Sequence, residues 1–305
     1  DQAVSTWFHG GPAATMPLAE RALELASGLS ALQRDQAAAY WGEIALELGL
    51  DGGYEAALGV GERLASGDDE ELLRPIDLIW SGAPAYWYAH CAHYTERFDQ
   101  ALSVLEHARE VLEAAGSANG IAIVTGFIAN HIGRRGRLEQ ALAEVEAVED
   151  FADLTPLPLP FLRMVRAEAL LWSGRISESE AECDAVESMG VMNWFAVAWL
   201  NYLRGTALLW RGDAAASDHF LQTERTLASV GLVEPRFMPW AGHAIEAHLA
   251  AGRRQEAERV LLALEALAPG THWPRSAAAL GRGRLAEADG DGPRAEEAFN
   301  RSVEL

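Results

Sequence analysis

A short histidine motif in the first third of the chain could support metal chemistry. His90 and His93 flank Cys91 in the run His-Cys-Ala-His, and the spacing of three residues puts both imidazoles on one face of a helix. Cys91 points away from that face, and the neighbouring sequence supplies no clear third ligand. We therefore predict no metal site here and expect the two histidines to contact a ligand or to pack.

Other signatures of catalysis are absent from the sequence. His243, Glu246 and His248 resemble a scrambled zinc-protease motif, but their spacing of i, i+3 and i+5 does not converge on one helical face. The chain contains no nucleophile elbow, no phosphate-binding glycine loop and no dinucleotide fingerprint. All 24 basic residues are Arg, so no Lys is present for phosphate binding or Schiff-base chemistry. We predict a protein that is not an enzyme and uses no cofactor.

Aromatic and isolated polar residues recur on one stripe of several helical segments. The stripe lies at positions −6, −3, +1 and +4 around a small residue, which share one helical face at 100° per residue. A groove lined by such residues would stack aromatic rings on a ligand and orient it with hydrogen bonds. The other interpretation is that the aromatic rings fill the gaps between successive repeats. The candidate ligand-binding residues on the stripe are Tyr86, His90, His93, Asn130, Glu168 and Tyr202, and those that flank it are Arg134, Trp172 and Trp210.

The elements that position this stripe are helical hairpins, because a turn motif repeats along the whole chain. The motif reads Gly-Arg or a close variant, followed by a small residue five positions after its start. Successive anchors are 38 to 44 residues apart, which is typical of a helical-repeat solenoid. The anchors are Thr15, Ala57, Ala101, Ala141, Ser179, Ser217, Ala257 and Ala295.

A second small residue lies twelve positions before most anchors. Two helices joined by a tight turn approach closely only where neither carries a bulky side chain, so these pairs mark the crossing points. Ile245 breaks the pattern in the seventh hairpin and predicts a register shift there. The small residues are Ala45, Ala89, Ala129, Ala167, Gly205 and Gly283. The sequence thus predicts an all-α fold, a right-handed superhelical solenoid of about eight hairpins.

Prolines and glycines predict the limits of several elements. Pro17 and Pro239 are expected to begin helices, and Gly252 is expected to end one. Residues 67–84 are expected to be irregular. The alternating tract from Thr155 to Pro160 is too rich in proline to be helical and is expected to pack over the repeat edge. We predict a single repeat domain over 1–305, with a candidate break at 150–160.

The net charge restricts the binding partners that we expect, and the cysteines indicate the cellular compartment. The net charge is −21, from 45 acidic and 24 basic residues, so we expect this chain to bind neither nucleic acid nor a membrane surface by itself. Cys91 and Cys183 are far apart and predict reduced thiols in a cytoplasmic protein. The chain begins within a hairpin, and we expect it to be a segment of a longer protein. Its terminal hairpins would then leave open stacking surfaces for self-association.

The chain resembles the helical-repeat region of the large ATP-binding LuxR-type transcriptional regulators, which include the maltose-regulon activator. The resemblance is carried by Gly231–Trp240 with its Pro-Trp segment, by Leu249–Ala257, and by Trp273–Ser276 followed by Arg282–Ala286. It implies the sensor region of a signal-transducing ATPase, without that protein's ATPase and helix-turn-helix modules. It also implies a small-molecule inducer or a regulatory protein as the partner, bound on the concave face.

An alternative function remains open from the residues. The Gly-Arg-x-x-Glu-Ala turn is shared with tetratricopeptide-repeat (TPR) arrays, so the hairpins are predicted to be TPR-like. Such an array could instead be a stand-alone scaffold that docks a peptide or a partner protein. Peptide grooves usually carry basic side chains, whereas the stripe supplies only Arg134 and Arg284, far apart.

Overall fold

The computed structural model describes residues 2–50, 52, 84–148, 159–190, 192–232, 234, 236–267 and 271–305. Over these residues every regular element is an α-helix, which confirms the predicted all-α fold. The fourteen helices within the described ranges are α1 (Gln2–Ala26), α2 (Ala31–Glu47), α3 (Pro84–Tyr94), α4 (Phe98–Ala114), α5 (Ala118–Arg134), α6 (Leu138–Ala147), α7 (Leu159–Trp172), α8 (Ile176–Ser188), α9 (Trp194–Trp210), α10 (Ala216–Ser229), α11 (Ala241–Ala250), α12 (Arg254–Leu267), α13 (His272–Ala288) and α14 (Gly292–Glu304).

The helices pair in the order that the repeats predict. The third to eighth hairpins are α3/α4, α5/α6, α7/α8, α9/α10, α11/α12 and α13/α14. First helices of successive hairpins also contact each other, as α5 does with α7 and α11 with α13. The second helix of the second hairpin, predicted up to residue 66, lies outside the described residues. The predicted arrangement of TPR-like hairpins is therefore confirmed where the chain is described.

The turns within the hairpins use a residue in the left-handed conformation. Gly136, Gly174 and Gly252 have φ of 80°, 77° and 71°. The residue after each of these glycines donates its N–H to a carbonyl five residues earlier, which closes the first helix with a Schellman motif. Glu96 holds the same place in the third hairpin with φ 63°, and it is the one non-glycine residue with positive φ among the described residues.

The predicted crossing points are tightly packed. Ala89 and Ala129 have no exposed surface, and neither does Ala167. The Ser179 hydroxyl donates to the Ala167 carbonyl oxygen at 2.7 Å, so the predicted pair in the fifth hairpin is in direct contact. A Cβ on Gly283 would collide with the Phe299 ring in the eighth hairpin. Small residues are thus required where the two helices cross.

Three helix limits differ from the prediction. Pro17 does not begin a helix, because α1 restarts just after Gly11, whose φ and ψ of 71° and −172° interrupt it, and runs through Pro17. Pro239 lies two residues before α11, whose N-cap is Trp240. Pro160 lies in the first turn of α7, where its missing N–H has no helical partner to lose. The remaining parts of 67–84 and of the proline tract, 67–83 and 155–158, are outside the described residues.

The described chain divides into two compact units, and the division falls inside α9. Unit 1 comprises Asp1–Ala196 and Val230–Leu232, and unit 2 comprises Val197–Ser229 and Val233–Leu305. The extent of the domain, 1–305 with a break at 150–160, stays a prediction.

Unit 1 contains a contact between residues that are far apart in the sequence. The indole N–H of Trp194 donates to the Trp7 carbonyl oxygen at 2.6 Å, and the two indole rings meet edge to face at 4.8 Å. The Ala13 N–H donates to the Val230 carbonyl oxygen at 3.0 Å. In a simple solenoid each repeat contacts only its neighbours. The first hairpin of this chain therefore has neighbours that the repeat pattern does not predict.

Candidate functional site

The nine candidate residues lie on first helices of hairpins, but in both units. Those of unit 1 are Tyr86, His90 and His93 on α3, Asn130 and Arg134 on α5, and Glu168 and Trp172 on α7. Those of unit 2 are Tyr202 and Trp210, on α9. Their exposure varies widely, from 0% for Tyr202 to 39% for Trp172 and 40% for Trp210.

His90 is bound by a buried carboxylate from the preceding hairpin. Glu43 of α2 has Oε1 3.1 Å from His90 Nδ1, and the Cys91 thiol donates to Glu43 Oε2 at 3.2 Å. Burial and, to a smaller extent, the positive charge of Arg134 lower the pKa of His90 to about 3. The imidazole is therefore neutral near pH 7 and donates its Nδ1–H to the carboxylate. The orientation expected for Cys91 is wrong, because its thiol reaches the same carboxylate as His90.

Asn130, Arg134 and Glu168 form a polar cluster between the fourth and fifth hairpins. The Asn130 amide donates to Glu168 Oε2 at 3.3 Å, and Arg134 Nε lies 3.5 Å from Glu168 Oε1. The side chains of Arg134 and Glu168 are 14% and 6% exposed. A carboxylate and a guanidinium held this far from water interact more strongly than an exposed pair. The structure thus brings together three of the predicted residues.

An aromatic row lies beside these polar groups. Phe127 has ring centroids 5.3 Å from Tyr86, 4.7 Å from His90 and 4.9 Å from Phe161, so it joins α3, α5 and α7. Gly126 makes room for this row, because a Cβ there would lie 2.6 Å from the Phe161 ring. Tyr86 is almost fully buried, and burial raises the pKa of its hydroxyl. Tyr86 therefore fills the space between repeats, as the packing interpretation of the stripe proposed.

His131 is a member of this site that the stripe did not include. Its Nδ1 lies 2.7 Å from the Phe127 carbonyl oxygen, and its ring is 4.4 Å from His93 and 6.3 Å from His90. Burial lowers the pKa of His131 to about 3, with the neighbouring His90 adding to the effect. Nδ1–H of the neutral ring then donates to Phe127. Over the described ranges, no three His, Cys, Asp or Glu side chains are arranged to hold a metal ion.

Glu43 was also missed, and its sequence position explains why. It lies two residues before the crossing residue Ala45 of its own hairpin, outside the four stripe positions. The stripe is defined by positions on a single helix, so it does not indicate which residues of another helix contact it. The carboxylate reaches His90 from a neighbouring helix, and only a glutamate inside an otherwise apolar helix face could have indicated it.

In unit 2 the stripe residues make different contacts. Tyr202 is fully buried, and the Thr206 hydroxyl donates to its carbonyl oxygen at 2.9 Å. The exposed Trp210 ring meets His243 edge to face at 6.3 Å. Glu246 of α11 binds Arg284 of α13 at 3.2 Å, and both side chains are more than a third exposed. An open polar pair thus links the seventh and eighth hairpins.

Ser217 and His248 form a hydrogen-bonded pair of the kind that can activate a nucleophile. The Ser217 hydroxyl lies 2.7 Å from His248 Nδ1, and Arg253 Nη1 donates to the same hydroxyl at 3.0 Å. Neither Ser217 nor His248 has exposed surface, and burial lowers the pKa of His248. A substrate cannot approach a side chain that is fully covered. The pair therefore joins the sixth and seventh hairpins and offers no open reaction site in this structure.

A cleft of about 300 Å³ opens between α12, α13 and α14 of unit 2. Its walls hold two ion pairs, Arg254 with Asp289 and Arg282 with Glu265. The positive and negative groups of these pairs compensate each other. The cleft consequently has no strong preference for an anion or a cation.

No family model matches the chain, and no curated protein matches it. The structure is similar to the crystal structure of a Rap protein complexed with Competence and Sporulation Factor, with a TM-score of 0.66 and 11% sequence identity. The match covers 99% of this chain and 82% of the Rap chain. At this identity the similarity shows the fold alone, which is a TPR-like helical repeat.

None of the helices described here combines the length and the apolar composition that crossing a bilayer requires.

Proposed function

We propose that this chain is a binding domain that receives a signalling ligand, a small molecule or a peptide, on the first helices of unit 1. The observation that carries the proposal is the polar cluster of Asn130, Arg134 and Glu168 beside His90. These side chains come from adjacent hairpins and are mostly buried. Buried polar groups of this kind orient a ligand because each can exchange a protein hydrogen bond for one to the ligand.

The partial exposure of the cluster supports a binding role. His90 keeps 20% and Arg134 14% of the side-chain surface exposed, while Glu168 is almost covered. A ligand arriving from the solvent would meet the imidazole and the guanidinium first. The aromatic row around Phe127 provides apolar surface next to these groups. The combination of a few directed polar groups with aromatic walls is typical of small-ligand sites.

The comparison with the Rap protein supports the same class of function. That protein has a similar fold and was crystallised with a bound factor. Helical-repeat folds bind partners on extended surfaces built from successive repeats. We carry over the class of function alone, a domain that binds a partner molecule or protein.

A thermal-shift screen of this chain tests the proposal with sugars, short peptides and hydrophobic metabolites as probes. A probe at 100 times its dissociation constant should stabilise the folded state by about 2.7 kcal/mol. We expect Asn130→Ala and Trp172→Ala to reduce that shift. Gln140→Ala is the matched control, because Gln140 lies on the second helix of the same hairpin and is exposed. A shift that persists unchanged in Asn130→Ala would place the ligand elsewhere.

The resemblance to LuxR-type regulators supports a more specific proposal, that this chain is the sensor region of such a regulator. Binding of an inducer or regulatory protein would then control an ATPase module and a DNA-binding module in the same polypeptide. The described cysteines, Cys91 and Cys183, are buried and are not joined in a disulfide, as is common for cytoplasmic proteins. The coding sequence on either side tests this. A gene without an ATPase module upstream and a helix-turn-helix downstream would refute it.

A second candidate function is a scaffold that docks a regulatory protein, without a small-molecule inducer. The similarity to a protein solved with a bound factor favours it. Affinity capture with this chain, followed by competition with the probes of the thermal-shift screen, separates the two. A captured protein that no small molecule displaces would support the scaffold.

A further inference from the structure

The N-terminal segment of α1 is a separate helical piece. Residues 2–10, here called the strap, end at Gly11, where the backbone leaves the helical region. Ser5 and His9 of the strap are exposed, whereas Trp7 is buried. Thr6 and Phe8 are half-buried, and the Phe8 ring meets the Trp7 ring edge to face at 4.9 Å. A short helix at the end of a chain can separate from its neighbours without disturbing the helix that follows it.

The tip of the strap reaches two distant parts of unit 1. The Trp7 ring lies 4.8 Å from Trp194 and 6.0 Å from Phe195, and the Trp194 indole N–H donates to the Trp7 carbonyl. The Trp7 indole N–H donates to Glu47 Oε2 of α2 at 2.8 Å. The strap therefore joins the first helix of the second hairpin to the start of α9.

The base of the strap is anchored by a hydrogen bond and by close packing on Val230. Ala13 donates to the Val230 carbonyl oxygen, and Gly11 packs so closely on Val230 that a Cβ would collide with it. Gly231, with φ 77°, makes the reciprocal close approach to Ala13, where a Cβ would lie 2.8 Å from the Ala13 Cβ. A hinge next to an anchored base allows the tip to move while α1 stays in place.

Helix α2 connects the strap to the candidate site. Glu47 binds the strap, and Glu43 binds His90 and Cys91 of the site. The two carboxylates are four residues apart, so they lie one turn from each other on the same side of α2. Adjacent turns of α2 therefore make the contact with the strap and the contact with the candidate site.

We propose that the strap opens and closes locally, and that the candidate site controls this equilibrium through α2. The closed strap buries Trp7 against Trp194, and the open strap exposes both indoles. This proposal rests on the proposed function for its physiological ligand. Its test uses no ligand, so the failure of one proposal can be distinguished from the failure of the other.

Native-state hydrogen exchange of this chain, in increasing low concentrations of urea, measures local opening. We expect the amides of residues 6–10 to exchange roughly tenfold faster or more than those of residues 39–45 in α2, with little dependence on urea. Opening that exposes only the strap has this signature. Equal rates and an equal urea dependence in the two segments would mean that the strap opens only when unit 1 unfolds, which would overturn the proposal.

Two variants test the hinge and the tip. Gly11→Ala forces a Cβ against Val230 at a positive φ and should speed exchange at residues 6–10 roughly tenfold. Gly28→Ala is the matched control, because a Cβ there meets nothing within 4 Å. If Gly11→Ala fails to fold, Trp194→Phe removes the indole donor but keeps a ring, and should speed exchange in the same segment. Unchanged exchange in the variant that folds contradicts the proposal.

Glu43→Gln tests the coupling through α2. It keeps an oxygen acceptor for His90 and Cys91 but removes the charge, so the contact weakens without a cavity. We expect faster exchange at residues 6–10, although Glu43 touches none of them in the contacts described. Glu24→Gln on the exposed surface of α1 is the control and should leave exchange unchanged. If both variants exchange like the wild type, the site does not control the strap.

Discussion

The same repeat position is used in opposite ways in the two units. In unit 1 the residues that follow the crossing residues of the fourth and fifth hairpins, Asn130 and Glu168, form a hydrogen bond at 3.3 Å with Glu168 nearly buried. In unit 2 the corresponding residues of the seventh and eighth hairpins, Glu246 and Arg284, form an ion pair with 38% and 36% of their side chains exposed. The two pairs occupy matching positions on their helices, but their side chains differ in how deeply they are buried.

This difference indicates where a polar pair affects stability and where it does not. A buried carboxylate that loses its partners is left without solvation, whereas an exposed one is solvated by water. The repeat architecture therefore supplies positions for contacts between hairpins, and the surrounding side chains decide their energetic effect.

The largest effect is expected from breaking the buried cluster. Glu168→Ala should lower the free energy of unfolding by about 3–5 kcal/mol, because it leaves Arg134 largely buried without that carboxylate. Glu246→Ala, the matched change in unit 2, should cost about 0–1 kcal/mol. Urea denaturation of the two variants measures both values. Equal losses would show that burial does not separate the two pairs.

Substitutions at the crossing points of unit 2 are expected to lower the stability of the protein, because the apolar contacts there are tight. Gly283→Ala should destabilise the protein by about 1–3 kcal/mol because the added methyl meets the Phe299 ring. Gly242→Ala is the control, since its Cβ would lie 3.8 Å from the Ala277 Cβ, an ordinary contact. There we expect a neutral effect or a gain of up to about 1 kcal/mol from helix propensity. A stabilising Gly283→Ala would refute the crossing assignment.

The buried histidines of unit 1 should make stability depend on pH. The folded-state pKa of His131 is about 3, below its ordinary value of 6.5, so only the unfolded chain gains a proton as the pH falls through 6.5. Stability is therefore fully present above pH 6.5 and decreases below it, by about 1.4 kcal/mol per pH unit for this residue. Unfolding free energies of His131→Gln between pH 6.5 and 5 should fall less steeply than those of the wild type. Parallel curves would show that His131 is protonated in the folded state.

The smallest effect is expected at the turns, which both units share. Gly136→Ala should cost about 1 kcal/mol, because φ of 80° is unfavourable for a residue with a Cβ and no neighbouring atom interferes. Glu96→Gly should stabilise the third hairpin by a few tenths of a kcal/mol, since relief of strain is partly offset by the greater freedom of the unfolded chain. Thermal unfolding of the two variants should shift in opposite directions.

The sequence predicts the hairpins well because their physical requirements are local. A tight turn needs positive φ, and the motif located it even at Glu96, where glycine is missing. Crossing helices need small residues, and Ala167 with Ser179 is such a pair. Helix limits at prolines were less predictable. A proline is tolerated in a first turn, as at Pro160, and within α1 the buried Met16 and Ala19 surround Pro17.

The candidate site was predictable only in part, because its partners come from different helices. Periodicity identified Asn130 and Glu168, each one residue after a crossing point, and the structure shows them in contact. It did not identify Glu43 or His131, which reach the site from positions off the stripe. The binding role of all nine predicted residues remains a prediction.

The contact between Trp7 and Trp194 also has a consequence for synthesis of the protein. The two residues are separated by 187 positions, so the first hairpin leaves the ribosome long before its partner has been made. At the usual 5–20 residues per second, Trp7 stays without Trp194 for roughly 10–40 s. During that interval an indole that ends up buried is exposed on the nascent chain. A chaperone that binds exposed aromatic residues would find its target on this protein early in translation and lose it once α9 has emerged.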